Sequence, residues 1–380
     1  MRALIKWKFL LFVILLAYQF AWGVELQSKR KAEVLNIESG LSQSWVTALV
    51  VDRYGFLWVG TQDGLNRYDG YSFKKYRNNP LDSTTLCNNN INSICEDAEG
   101  NIWIGTWRGL SFLNRSTGEF TNYFHDLNNA KSLSHNRVYN VYVDKKGVVW
   151  VKTLESLDRF NPSTQTFDRF PHFSSPFTNA AYADSYGIFE DSQSRLWVGS
   201  KDGLFLFDRS LGLYKRFSYD LNDSKSLSNN NVRAIAEDEQ GSIWVATERG
   251  LNRLISIDKG FKRFYAKPGD SKSLQSSDIQ SLFVDKRGAL WVGTSEGVCV
   301  YMPGKGFEIV SNSADNPSVL NVNITSIAED KSSVIWMGTL SGLVKWDVKD
   351  QKFSLFSKDR NGNNLFGNNM IGSVYNDVSG

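Results

Sequence analysis

Seven aspartates, Asp52, Asp97, Asp144, Asp191, Asp238, Asp285 and Asp330, each stand six residues ahead of a tryptophan. Carboxylates repeated on one frame could gather calcium. The same placement in every copy, with Gly three residues later in most of them, is instead what a shared turn requires. Asp folds its side chain onto the backbone two residues ahead, and Gly accepts the positive φ of a tight hairpin. The spacing predicts strand, D-x-x-G turn, strand, and no metal site.

Other reactive residues are scattered. His125, His135 and His172 fall in non-equivalent loops without H-E-x-x-H or Cys/His metal spacing, and neither a G-x-S-x-G elbow nor a phosphate-binding glycine loop occurs. Cys87, Cys95 and Cys299 are odd in number and lack C-x-x-C spacing, so no disulfide framework is expected. Cys95 takes the place that Ala236 and Ala328 hold in matching segments, which marks it as a small core residue. One carboxylate pair leaves a catalytic reading open. Asp184 and Asp278, two repeats apart, could face each other across a channel mouth, and paired carboxylates cleave glycans when suitably separated. Fold shape alone carries no chemistry, so a non-enzymatic role without a cofactor is expected.

The frame that must position these residues is a repeat. LWVGT at Trp58 recurs as IWIGT at Trp103, VWVKT at Trp150, LWVGS at Trp197, IWVAT at Trp244, LWVGT at Trp291 and IWMGT at Trp336, with successive tryptophans 45 or 47 residues apart. A third strand starts at Gly-Leu, as at Gly64-Leu65 and Gly250-Leu251, and a fourth carries an aromatic pair such as Phe120 and Tyr123. Between repeats a Ser-Leu-Ser phrase, as at Ser132-Leu133-Ser134, pins the loop to the blade edge through its Leu. Four strands per repeat predict an all-β, seven-bladed β-propeller of antiparallel blades, with an incomplete eight-bladed ring or the start of a second propeller as the alternative. The repeated tryptophans are core: each buries roughly 150–250 Å², about 4–6 kcal/mol at 25 cal/mol per Å². Lys152 and Ser156 in repeat three, and Ala246 in repeat five, replace the expected glycines, so those blades should be less regular.

Composition agrees. Twelve Trp, fifteen Tyr, twenty-four Phe and thirty Gly against seven Pro favour short strands and turns. A net charge of +3 without a basic stripe excludes nucleic acid as the expected partner. Arg2, Lys6 and Lys8 precede an apolar stretch from Phe9 to Ala17, and Ala21-Trp22-Gly23 offers small residues for cleavage, so residues 1–23 read as a signal peptide. Residues 24–32 read as a linker, 33–357 as the propeller and 358–380 as a partial eighth repeat. Glu33 to Ile37 resembles a fourth strand supplied from the N-terminus. A membrane link would need an uncleaved signal or a missing downstream helix, because no other run reaches about 18 apolar residues.

The phrases NIWIGT, DGLNRYD and KSLSNNNVRAIAEDEQGSIWVATERGLNRL resemble the two-component regulator propeller repeats of periplasmic sensor regions in bacterial hybrid histidine kinases, over essentially all of residues 33–380. That resemblance implies a larger receptor: two seven-bladed propellers, a β-sandwich, a membrane helix, and a kinase or diguanylate cyclase output. It also implies a periplasmic location, a small solute or oligosaccharide as ligand, and a homodimer formed through propellers. This chain carries none of the later parts and reads as truncated.

In an up-and-down blade the first strand starts, and the second ends, on one face. Variable residues collect there. Thirteen residues before each tryptophan stand Trp45, Asn90, Arg137, Asp184, Asn231, Asp278 and Asn323, a mostly polar ring expected at the channel mouth. The loop after the second strand adds Trp107, Arg108, Lys201, Asp202 and Arg249. Trp107 has no counterpart in the other repeats, and an aromatic face among polar groups suits stacking on a sugar ring.

Overall fold

Each W-x-G-T segment folds as a strand whose described residues are nearly all buried, because a neighbouring strand covers each edge and the faces pack against adjacent blades. The computed structural model describes residues 41–43, 46–69, 71–171, 187–310, 323–329, 333–339, 342–347 and 352–356. The signal peptide, the linker, the strand expected at Glu33–Ile37, the partial eighth repeat, and Trp45, His172, Asp184 and Asp330 lie outside these residues. Within them are seven four-stranded antiparallel sheets and no helix. Blade 2 is typical: an inner strand Ile91–Glu96, then Ile102–Thr106, Gly109–Leu113 and Phe120–Tyr123, hydrogen-bonded in chain order. The inner strands of the other blades are Val46–Val51, Val138–Val143, Ile188–Glu190, Val232–Glu237, Ile279–Val284 and Ile324–Glu329. The molecule is a seven-bladed β-propeller.

The turn aspartate does two jobs. Asp52 Oδ1 accepts the amides of Tyr54 and Phe56 at 2.9 and 3.0 Å, the turn read from the sequence, while Oδ2 accepts the indole N–H of Trp58 at 2.6 Å. The same indole bond recurs from Trp103, Trp150, Trp197, Trp244 and Trp291 to the aspartates six residues before them, at 2.7–3.0 Å. A buried indole N–H without a partner costs about 1–3 kcal/mol, so the carboxylate lets an amphipathic ring serve as core. At Asp285 burial pushes the carboxyl up, but the Trp291 indole, the Arg287 guanidinium and the turn amides outweigh it and hold it below the usual range.

The interblade loops are anchored as expected. Leu41, Leu86, Leu133, Leu227 and Leu274 are buried. Beside them the hydroxyls of Ser42, Ser134 and Ser228 meet those of Thr61, Thr153 and Thr247 at 2.7–2.8 Å.

Repeats three and five do not break the sheet. Blade 3 pairs Lys152 with Asn140 and Leu157, and blade 5 runs in register through Ala246. For Lys152 the reason lies in what the motif glycine faces. A Cβ on Gly60 or Gly105 would meet the first inner-strand residue of the next blade, Ile91 at 2.6 Å or Val138 at 2.7 Å. After Lys152 the residue at that position in the sequence is Ser185, not an aliphatic one. The Lys152 side chain is buried and its Nζ donates to the Gly199 carbonyl of blade 4 at 2.6 Å. Burial brings its ammonium down to about 7.

Seams between blades differ at the end where the D-x-x-G turns lie. Glu96, Glu190, Glu237 and Glu329, each seven residues before the tryptophan, accept the backbone amides of Arg53, Lys145, Ser192 and Lys286 of the preceding blade at 2.6–3.0 Å. Val143 and Val284 take that position at seams 2/3 and 5/6. Cys87, Cys95 and Cys299 are free thiols, and burial pushes Cys299 up to about 12.

Candidate ligand-binding face

The inner strand begins where the second strand ends, because the two pair antiparallel: Ile91 lies opposite Thr106, Val232 opposite Thr247 and Ile279 opposite Thr294. Backbone hydrogen bonds then tie the two groups of variable residues together. The amides of Trp107, Leu154, Glu248 and Ser295 donate to the carbonyls of Asn90, Arg137, Asn231 and Asp278 at 3.0–3.2 Å. The ring residues have capped amides of their own, donated to Asn88 Oδ1, His135 Nδ1, Asn229 Oδ1 and Ser276 Oγ. His135 is thus a turn cap in the position of Asn88 and Asn229. Accepting at Nδ1 requires the neutral ring, and burial first of all holds its pKa below the usual imidazole value.

Two side-chain clusters occupy this face. At blades 2 and 3 Trp107 is 41% exposed, and its indole N–H donates to Asn92 Oδ1 at 2.8 Å. The Arg137 guanidinium carbon lies 4.2 Å from the centre of that ring and 5.4 Å from Tyr139. Asn92 Nδ2 in turn donates to the Val138 carbonyl at 2.7 Å, which fixes the indole relative to blade 3. At blades 5 and 6 Arg233 sits 3.1 Å from Asp278 and 3.6 Å from Glu248, and Asn231 Nδ2 donates to Glu248 at 3.2 Å. Burial pushes the Asp278 carboxyl up; Arg233 opposes this and Glu248 reinforces it.

The sequence-derived ring is therefore divided. Asn90, Arg137, Asn231, Asp278 and Asn323 are half-buried at the starts of their inner strands, as read from the spacing. Arg108 and Arg249 are exposed on the neighbouring loops, held through their amides by Thr106 and Thr247. It is Arg137, not Arg108, that stacks on Trp107. Lys201 and Asp202 lie half-buried on the blade 4 loop, where the Asp202 carbonyl accepts Arg216 Nε at 2.9 Å. The Asp184–Asp278 pair involves a residue outside those described. Glu248, like Gln62 and Asp63, belongs to the loop after the second strand, which the sequence placed on this face, whereas Asn92, Tyr139 and Arg233 were missed. These three stand two residues beyond the ring position, where the residue type changes from repeat to repeat, and that variability was the available signal. Among the described residues no group of three or more His, Cys, Asp or Glu side chains could hold a metal ion.

The fold defines a class, the β-propellers built of four-stranded antiparallel blades. The chain carries two-component regulator propeller repeats, matched to that family's profile at residues 40–63, 85–108, 132–155, 226–249 and 273–296. The extracellular domain of a hybrid two-component system from B. thetaiotaomicron superposes with a TM-score of 0.61 at 26% identity, covering 80% of this chain and 40% of that one. A second such domain from the same organism gives 0.55 at 20% identity over 88% and 50%, a likeness of fold alone. By sequence, 47 residues are 62% identical to histidine kinase P4 of Formosa agariphila, 12% of this chain and 3% of the kinase. The chain thus spans well under two thirds of these relatives. No helix among the described residues is long and apolar enough to cross a membrane.

Proposed function

We propose that the chain is the exported, ligand-sensing input of a two-component receptor, and that the face carrying Trp107 and Arg137 binds an oligosaccharide or a similar polar solute. The observation that carries this reading is the half-exposed indole of Trp107, locked by Asn92 and lined by the Arg137 guanidinium. A flat aromatic surface with fixed donors beside it offers both the apolar and the polar edge that a sugar ring presents, and preorganisation removes the cost of ordering on binding. Arg233, Asp278 and Glu248 give a second, charged contact on the same face. The reading is non-catalytic: binding biases the arrangement of a dimer of propellers, and transmission belongs to parts of the receptor outside this chain.

The test is a thermal-shift screen of the chain from Val24 onward against plant and algal oligosaccharides. A saturable shift with one glycan is expected, lost in Trp107→Ala and in Arg137→Ala while their unliganded melting temperatures stay at the wild-type value. Glycan turnover by the purified chain would replace this reading with a hydrolytic one, and equal shifts in wild type and both variants would move the site elsewhere.

A further inference from the structure

At the turn face, opposite the proposed sensing surface, two seams contain an arginine that a third seam lacks. Arg115 of blade 2 crosses to blade 1, where its guanidinium pairs with the buried Asp52 carboxylate and lies 4.5 Å from the Tyr54 ring and 5.8 Å from Trp58. Arg209 of blade 4 does the same to blade 3, 3.2 Å from Asp144 and 5.9 Å from the Trp150 ring. Both arginines stand twelve residues after the tryptophan of their own repeat. In blade 3 that position is Pro162. The corresponding space at seam 2/3 is a cavity of about 510 Å³, with Pro162 on its wall and Asp97 and Trp103 among its lining residues.

This cavity keeps the receiving half of the arginine site. Asp97 is 8% exposed where Asp52 is fully buried, and among the described residues no cation pairs with its carboxylate, Arg53 Nη2 donating instead to its main-chain carbonyl at 2.6 Å. The Asp97 carboxylate accepts the main-chain amides of Glu99 and Asn101 and the Trp103 indole N–H at 2.9–3.0 Å, and the Asn101 side-chain amide lies 3.3 Å from each oxygen, all neutral donors. Trp103, Phe112 and Phe160 line the cavity, with ring centres 4.6 and 4.9 Å from that of Trp103. At the rim the exposed Glu99 and Lys146 offset one another. The remaining charge is one carboxylate facing aromatic walls, a setting that favours a planar cation both by ion pairing and by cation–π attraction.

We infer that the seam between blades 2 and 3 is a binding site for a guanidinium group, supplied by a ligand where the neighbouring seams supply it from the chain. The site is independent of the sugar-binding reading, since it lies at the other end of the blades. A free guanidino metabolite and an arginine side chain of a peptide present the same group, and two probes separate them.

The experiment is calorimetric titration of the whole chain with agmatine and with N-acetyl-arginine amide. Saturable one-site binding is expected, tighter for agmatine if the source is a free amine and tighter for the amide if it is a peptide. Pro162→Arg refills the slot from within and raises Kd at least about tenfold. Glu99→Lys, at an exposed rim position, weakens binding in the same direction and decides the matter should Pro162→Arg fail to fold. Absence of saturable binding by both probes, or undiminished binding in the folded variants, overturns the assignment.

Discussion

Seam 3/4 and seam 2/3 are built from the same repeat and join differently. At seam 3/4 Glu190 accepts the Lys145 amide at 2.8 Å, and Arg209 bridges Glu190 and Asp144 at 2.9 and 3.2 Å. At seam 2/3 Val143 and Pro162 stand in place of that glutamate and arginine, Ala98 stands in place of Lys145, and a cavity remains. The core of each blade is thus periodic, whereas the joints between blades are individual. Blades 1 to 6 each bury their tryptophan, but their joints are either polar or open.

The largest expected effect comes from breaking the polar joint. Arg209→Ala leaves two buried carboxylates without their cation and is expected to cost about 3–5 kcal/mol by urea denaturation; a loss under about 1 kcal/mol would mean that seam 3/4 relaxes as freely as seam 2/3. Lys152 at the same seam acts in the opposite sense. Its folded-state pKa of about 7 lies below its unfolded value of 10.5, so between those limits the unfolded chain binds more protons and stability rises with pH. Lys152→Met should be the more stable protein at pH 7, by several kcal/mol on the order of the shift, and the gap should close by about pH 10. A gap that stays constant across that range would remove the buried ammonium as its cause.

A smaller loss, about 1–2 kcal/mol, is expected for Glu237→Gln at seam 4/5, where the carboxylate accepts both the amide and the hydroxyl of Ser192 at 2.7 and 2.6 Å. The smallest effect belongs to the opposite face. Trp107→Ala should change stability by under about 0.5 kcal/mol, in contrast with the core Trp197→Ala at about 3–5 kcal/mol. Similar losses from these two tryptophans would show that Trp107 is structural.

What could be read from the sequence follows the same division. Strands, turns and core tryptophans repeat seven times, so periodicity exposes them, and the place of Asn90, Asn231 and Asp278 follows from strand direction alone. The indole-to-Asp bond was hidden behind the turn, because one conserved spacing serves both purposes. The joints were not legible: a Glu at 96, 190, 237 and 329 has meaning only beside the amide of another blade, a contact across 43 or more residues. The same holds for Arg137 over Trp107, which joins two repeats. The expected irregularity around Lys152 is confined to a shorter ladder between the second and third strands of its blade, because a lysine stem can lie along apolar surface and carry its nitrogen to a distant carbonyl.

The hydroxyl pairs that tether interblade loops, Ser42 to Thr61 and Ser228 to Thr247 among them, lie within single repeats, as do the leucines that precede these serines. A loop on the proposed sensing face is therefore a self-anchored cassette. Unequal crossing-over between tandem copies can exchange its recognition residues for those of another repeat without disturbing the scaffold, so such a gene carries its own supply of alternative specificities.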